Sequence, residues 1–65
     1  MSSTEVLRLL RLDGWTEVRR KGSHVQLKHP RKPGLCTVPH PKKDLPMGTL
    51  LSIERQSGVT LRGER

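Results

Sequence analysis

Histidine and cysteine are the side chains whose ordinary pKa values let them exchange protons or attack near neutral pH. The chain has three of the first and one of the second, and His24 is the one set in a pattern. It closes the run Lys21-Gly22-Ser23-His24, a glycine turn between two stretches of strand character. An imidazole there can take a proton from a ribose 2′-hydroxyl or give one to a leaving oxygen. The same position is also that of an ordinary exposed strand histidine. Gly22 permits backbone angles closed to other residues and lets a ligand approach the main chain, which suits a phosphate beside the turn and equally suits a plain turn. Ser23 can bond a phosphate or simply close the turn.

The other reactive side chains stand in weaker settings. His29 and His40 lie beside prolines in loops, and spacings of five and eleven residues from His24 to His29 and on to His40 match no zinc-binding pattern. His40, in Pro39-His40-Pro41, suits a phosphate contact or the shaping of its loop. Cys36 alternates with Val38 and reads as a small core residue, because nothing beside it specifies a base. No metal or other cofactor is expected.

Phosphate is the expected ligand because the basic residues come in groups around one hairpin. Arg19, Arg20 and Lys21 precede the turn, Lys28 is followed by Arg31 and Lys32, and Lys42-Lys43 stands ahead of a helix, whose free amides also favour anions. With 13 Lys and Arg against 6 Asp and Glu, the formal charge of +7 attracts polyanions or an acidic protein surface. Trp15 is the only aromatic residue and is expected in the core. Recognition of a nucleic acid should therefore act through backbone and shape, with weak base selectivity.

The elements that must hold these residues follow from spacing. Ser2 and Glu5 have capping-box spacing, Val6, Leu9 and Leu10 form an apolar stripe, and Asp13-Gly14 is a stop signal, predicting a helix over about 3–13. Trp15 to Arg20 and His24 to Lys28 alternate in part and read as a hairpin, with Val25 and Leu27 on one face and His24, Gln26 and Lys28 on the other. Residues 29–34 form a basic loop. Leu35 to Val38 gives a third strand stopped by Pro39-His40-Pro41, and a second helix covers about 46–57 before Gly58, with Leu50 and Ile53 in the core. The predicted fold class is α+β, ordered α-β-β-β-α, with a three-stranded antiparallel sheet and both helices on its apolar face. Residues 1–58 form the expected domain and 59–65 a flexible tail.

A chain of 65 residues leaves room for one domain with a small core. One cysteine forms no internal disulfide and fits a reducing compartment. No stretch approaches the roughly 20 apolar residues of a membrane span, and the first residues lack a cleavage site, so the cytoplasm is expected.

Taken in order, Asp13-Gly14-Trp15, Arg20-Lys21-Gly22-Ser23-His24, Val38-Pro39-His40-Pro41 and Leu45-Pro46-Met47-Gly48-Thr49-Leu50, with Ile53, Gln56 and Gly58, resemble the HicA toxins, also described as YcfA-like proteins. These are small bacterial mRNA interferases of toxin–antitoxin pairs, and the similarity spans nearly the whole chain. The resemblance implies a fold like that of a double-stranded-RNA-binding domain and a catalytic histidine that falls on His24, with Gly22 important beside it. It also implies ribosome-independent cleavage of mRNA, inhibited by a HicB antitoxin that covers the active face. The expected chemistry is metal-independent attack of the 2′-hydroxyl on the adjacent phosphate, helped by His24. Lys or Arg would stabilise the developing charge, with Lys21, Lys28, water or His40 as the second proton carrier. Ser23, Arg20, Lys42 and Lys43 complete the expected RNA-binding and supporting set. The chain departs from the family pattern at Leu51 and Glu54, where a basic and an apolar residue are expected respectively. The alternative reading from another class is a noncatalytic basic RNA-binding module in which His24 only makes a contact.

Overall fold

Ser2 sets the start of the first helix, α1 (Ser3–Asp13): its extended backbone leaves the turn open and its Oγ accepts the Glu5 N–H at 3.1 Å. The end is set by Gly14. Its left-handed conformation lets the Gly14 N–H donate to the Arg11 carbonyl and the Trp15 N–H to that of Leu10, satisfying carbonyls the last turn would leave bare. The structure is a computed structural model describing residues 1–61. Along α1 the buried apolar residues are Val6, Leu7 and Leu10, while Leu9 is only partly buried, so the apolar stripe sits slightly round the helix from the predicted one.

Strands β1 (Thr16–Lys21), β2 (His24–Lys28) and β3 (Cys36–Pro39) form one antiparallel sheet in the order β1-β2-β3, and α2 (Met47–Ser57) completes the predicted α-β-β-β-α order. Both helices pack on one face of the sheet. That face contributes Val25, Leu27, Cys36 and Val38 to a core closed by Val6, Leu10, Trp15, Leu50 and Ile53. Trp15 and Cys36 are fully buried, as expected of them.

Backbone direction along β2 explains the two edges. The His40 N–H donates to the Ser23 carbonyl across the β2–β3 side, so in the alternating pattern His24 and Gln26 turn their backbone groups toward β1. Their β3 partners, Pro39 and Thr37, must then point outward. Pro39 has no N–H to lose there, which is why the third strand can include it rather than stop at Val38. The outward Thr37 N–H donates to Gln56 Oε1 of α2 at 2.8 Å. On the other side β1 carries a bulge: Glu17 pairs with Leu27 and Arg19 with Gln26, leaving Val18 as an extra residue. In an unbroken strand Trp15, Glu17, Arg19 and Lys21 would share one face. The bulge puts Trp15 with the core while Arg19 and Lys21 face out.

The loop after β2 is held by His29. Its Nδ1 accepts the N–H groups of Arg31 and Lys32, so Nε2 carries the ring proton and donates to the Asp13 carbonyl at 2.7 Å. The ring also packs edge-on against Trp15. Lys32 completes the knot, its ammonium bonding the Asp13 carboxylate at 2.7 Å and the Ser57 carbonyl at 3.0 Å, at the C-terminal end of α2. Gly14 is required twice over, by its φ of 112° and because a Cβ would lie 2.8 Å from His29 Nε2.

After α2, Val59 packs against the core and Thr60 is exposed. Leu61 is buried, and its N–H donates to Glu54 Oε2 at 2.7 Å. This contact accounts for a carboxylate where the family pattern led us to expect an apolar side chain: Glu54 is half-buried and its charge is hydrogen-bonded, while Leu51 is also half-buried. The remainder of the predicted tail, residues 62–65, lies outside the described residues.

The hydrogen bond from Lys32, together with its charge, holds the Asp13 carboxyl below the usual aspartate range. A carboxyl lowered in the folded state adds stability that is complete above its unfolded pKa of about 3.9 and is lost as pH falls through the folded value. Asp13→Asn should therefore flatten the acid limb of stability measured by urea unfolding between pH 7 and pH 2. His29→Ala, which strips partners from three backbone groups, should cost about 2 kcal/mol at pH 7.

Candidate active site on the open sheet face

The face of the sheet turned away from the helices carries His24, Gln26 and Lys28 from β2. Lys21, Arg19 and Thr16 stand opposite them on β1, and Pro39 and Thr37 opposite His24 and Gln26 on β3. Every charged residue in these registers is basic. Glu17 is kept off this face by the bulge and pairs with Leu27 on the other.

His24 sits where the hairpin turns. Lys21 and His24 flank a two-residue loop, and their Cα atoms are about 5.5 Å apart in such a hydrogen-bonded pair. Gly22 has a φ of 57° and Ser23 has none of that sign, the pattern of a type II′ turn that matches strand twist. His24 is exposed, and among the described residues no hydrogen bond engages its ring. Both nitrogens are open to a ligand. An imidazole beside an ammonium, at a turn with no side chain on Gly22 to obstruct it, can exchange a proton at a bound phosphodiester while the lysine faces its charge.

The remaining expected residues divide by location. Ser23 is joined to the following loop through its carbonyl, which accepts the His40 N–H at 2.8 Å. His40 itself belongs to the helix side: its Nδ1 lies 2.7 Å from the hydroxyl of buried Ser3, so its ring does not share a face with His24. Arg20, opposite Val25, also turns to that side and donates from Nη2 to the His40 carbonyl at 3.4 Å. Lys28 shares the open face but stands four residues from His24, about 13 Å along the strand. Lys42 and Lys43 line an open cleft of about 310 Å³ at the start of α1, with Ser2, Ser3, Thr4 and Pro41. The structure thus brings His24, Lys21, Gly22 and Ser23 together at one end of the sheet, and sets Arg20 and His40 on its helix side and Lys42 and Lys43 by the start of α1.

Two residues outside the expected set belong to the open face. Gln26 stands one register step from His24, and its Oε1 accepts the Arg19 Nε–H at 3.1 Å. Arg19 was legible only as one basic residue of a run, because the bulge that assigns its face has no glycine or proline to announce it. Lys32 was grouped with the basic loop, yet its ammonium is taken up by Asp13 and Ser57. Burial pushes the Cys36 thiol up to about 11, which suits a core residue and not a nucleophile. Among the described residues no three His, Cys, Asp or Glu side chains converge as a metal site would need. Among the same residues no helix is long and apolar enough to cross a membrane.

A family model described as the HicA toxin of bacterial toxin-antitoxin matches residues 3–59, a span that takes in both helices, all three strands and the turn at Gly22. A comparison with curated proteins returns no significant match.

The space beside Gly22 is open, so a methyl group there would meet nothing within 4 Å and only the positive φ opposes it. Gly22→Ala should cost about 1–2 kcal/mol in chemical denaturation, read against wild type at the same pH.

Proposed function

Since the chain belongs to the HicA toxin family of bacterial toxin–antitoxin systems, we propose that it is a cytoplasmic endoribonuclease that cleaves mRNA with His24 and is silenced by a HicB-type antitoxin. The family is in general one of ribonucleases with an antitoxin partner. One observation carries the finer reading: His24 stands opposite Lys21 on a sheet face that no helix covers and on which every charge is positive. Such a face attracts a polyanion with no acidic group to repel it, and delivers its phosphates to the one side chain there that can exchange a proton near neutral pH.

The proposed reaction needs no metal. His24 takes the proton of a 2′-hydroxyl, the 2′-oxygen bonds to the neighbouring phosphorus, and the bond from phosphorus to the 5′-oxygen breaks. The leaving oxygen receives a proton from solvent or from the imidazolium. Lys21, across the hairpin, faces the charge that accumulates on the phosphoryl oxygens. The products are a 2′,3′-cyclic phosphate and a 5′-hydroxyl. Lys28, farther along the face, holds the flanking backbone. Arg20, Lys42 and Lys43 lie off the open face and extend the positive field rather than touching the scissile bond, while His40 holds the loop after β3 to Ser3. An antitoxin that covers the face carrying His24 and Lys21 blocks access and neutralises the field in one step.

With wild type in chelator, a generic mRNA should be cut to fragments bearing 2′,3′-cyclic phosphate and 5′-hydroxyl ends. His24→Ala should lower the rate by about 10²–10⁴ while its circular dichroism is unchanged, and Lys21→Ala should lower it less. RNA left intact by folded wild type would leave only the noncatalytic RNA-binding reading, and cleavage abolished by chelator would remove the metal-free step.

A further inference from the structure

We propose that Arg19, held by Gln26, reads a guanine base next to the scissile phosphate, and so sets where this chain cuts. The inference rests on the open sheet face being the RNA site, and adds to it a residue pair that selects sequence.

The geometry begins with register. Gln26 follows His24 by two residues on the same face of β2, about 7 Å along the strand, within reach of the nucleotide whose phosphate meets His24. Arg19 pairs with Gln26 across the β1–β2 ladder, and its Nε–H is bonded to Gln26 Oε1 at 3.1 Å. That bond occupies the inner edge of the guanidinium and leaves the two Nη groups directed away from it. A planar pair of donors fixed in this way matches two adjacent acceptors, and the O6 and N7 atoms of guanine are the base edge arginine reads most often. Gln26 contributes two further donors from its amide nitrogen, since its oxygen is engaged. No acidic side chain shares the face, so a base that must donate, as the amino group of cytosine or adenine does, finds no carboxylate there.

The rest of the molecule removes the competing way of holding a base. Trp15, the one Phe, Tyr or Trp of the chain, is fully buried beneath the sheet, so the only ring on the face is the imidazole of His24, which the proposed reaction engages. Base contacts there must come from hydrogen bonds or from the guanidinium plane. The selectivity expected from the sequence was weak; a held arginine raises it at one position.

Two measurements test this and separate it from the reading beneath it. In the first, a random-sequence RNA is cut by wild type, Arg19→Lys, Arg19→Ala and Gln26→Ala, and the cut positions are mapped. Cuts by wild type should be enriched beside guanine by about five- to 140-fold, the range one bidentate contact gives. Arg19→Lys keeps the charge but loses the fork, so it should flatten the preference while the salt dependence of binding stays the same. Gln26→Ala should weaken the preference by releasing the guanidinium. In the second, four RNA hexamers that differ only in one central base are titrated by fluorescence anisotropy against the His24→Ala chain, with and without Arg19→Lys. Tightest binding of the guanine hexamer, lost with Arg19→Lys, supports the inference even where wild type fails to cut RNA and the nuclease reading falls. Cuts with no guanine enrichment, enrichment that survives both Arg19 variants, or equal binding of all four hexamers would overturn it.

Discussion

Because β2 is the one strand with neighbours on both sides, its period of two governs both faces and both edges of the sheet. Side chains alternate between core and solvent, which commits Val25 and Leu27 to the helices and His24, Gln26 and Lys28 to the open face. Backbone groups alternate between the two neighbours as well. That second alternation gives Pro39 a place in β3 where its missing N–H costs nothing, and leaves the Thr37 N–H facing outward for Gln56 to accept. Edge strands with bare donors invite pairing with other chains. Here one amide side chain from α2 closes part of the β3 edge, while β1 is interrupted by its bulge and lined with Arg19, Arg20 and Lys21.

A core with one aromatic residue leaves polar contacts to fix the relative position of the helix ends. Asp13, His29, Lys32 and Ser57 draw the C-terminal ends of α1 and α2 together through a loop that a stranger to the structure would take for a basic binding segment. At the opposite end, Ser3 receives the Lys42 N–H on its hydroxyl and donates its own N–H to the Lys42 carbonyl, tying the loop after β3 to the start of α1. The cationic residues are therefore not equivalent. Lys32 and Arg20 bond backbone carbonyls and Lys32 a carboxylate as well, whereas Lys21 and Lys28 project from the open face.

Where the sequence carried a local rule, the structure follows it. The Ser2 cap and the Gly14 stop bound α1 at the predicted residues, Gly22 marks the hairpin, and simple alternation places His24 on the polar face. The features that escaped depend on contacts distant in the chain. Leu7 outranks Leu9 in burial because of where the sheet lies beneath the helix. His29 reads as a loop histidine until Asp13 is seen sixteen residues away, and Glu54 reads as misplaced until Leu61 supplies an N–H. His40 reads in the sequence as a partner for His24 in proton transfer, but one residue of offset along β3 turns it toward Ser3.

The bulge at Val18 carries a consequence for chain length. Every pair from Lys21–His24 to Arg19–Gln26 is counted from the turn, and Glu17–Leu27 and Thr16–Lys28 follow on the far side of the extra residue. Loss of Val18 would close a regular ladder with all of those partners kept and Trp15 still on the core side. One residue lost nearer the turn would instead move the residues between it and the bulge onto the opposite face, as loss of Arg20 would set Arg19 against Val25. Val18 is thus the position in β1 at which a codon can be deleted without redrawing the surface, and natural variation in the length of this hairpin should collect there.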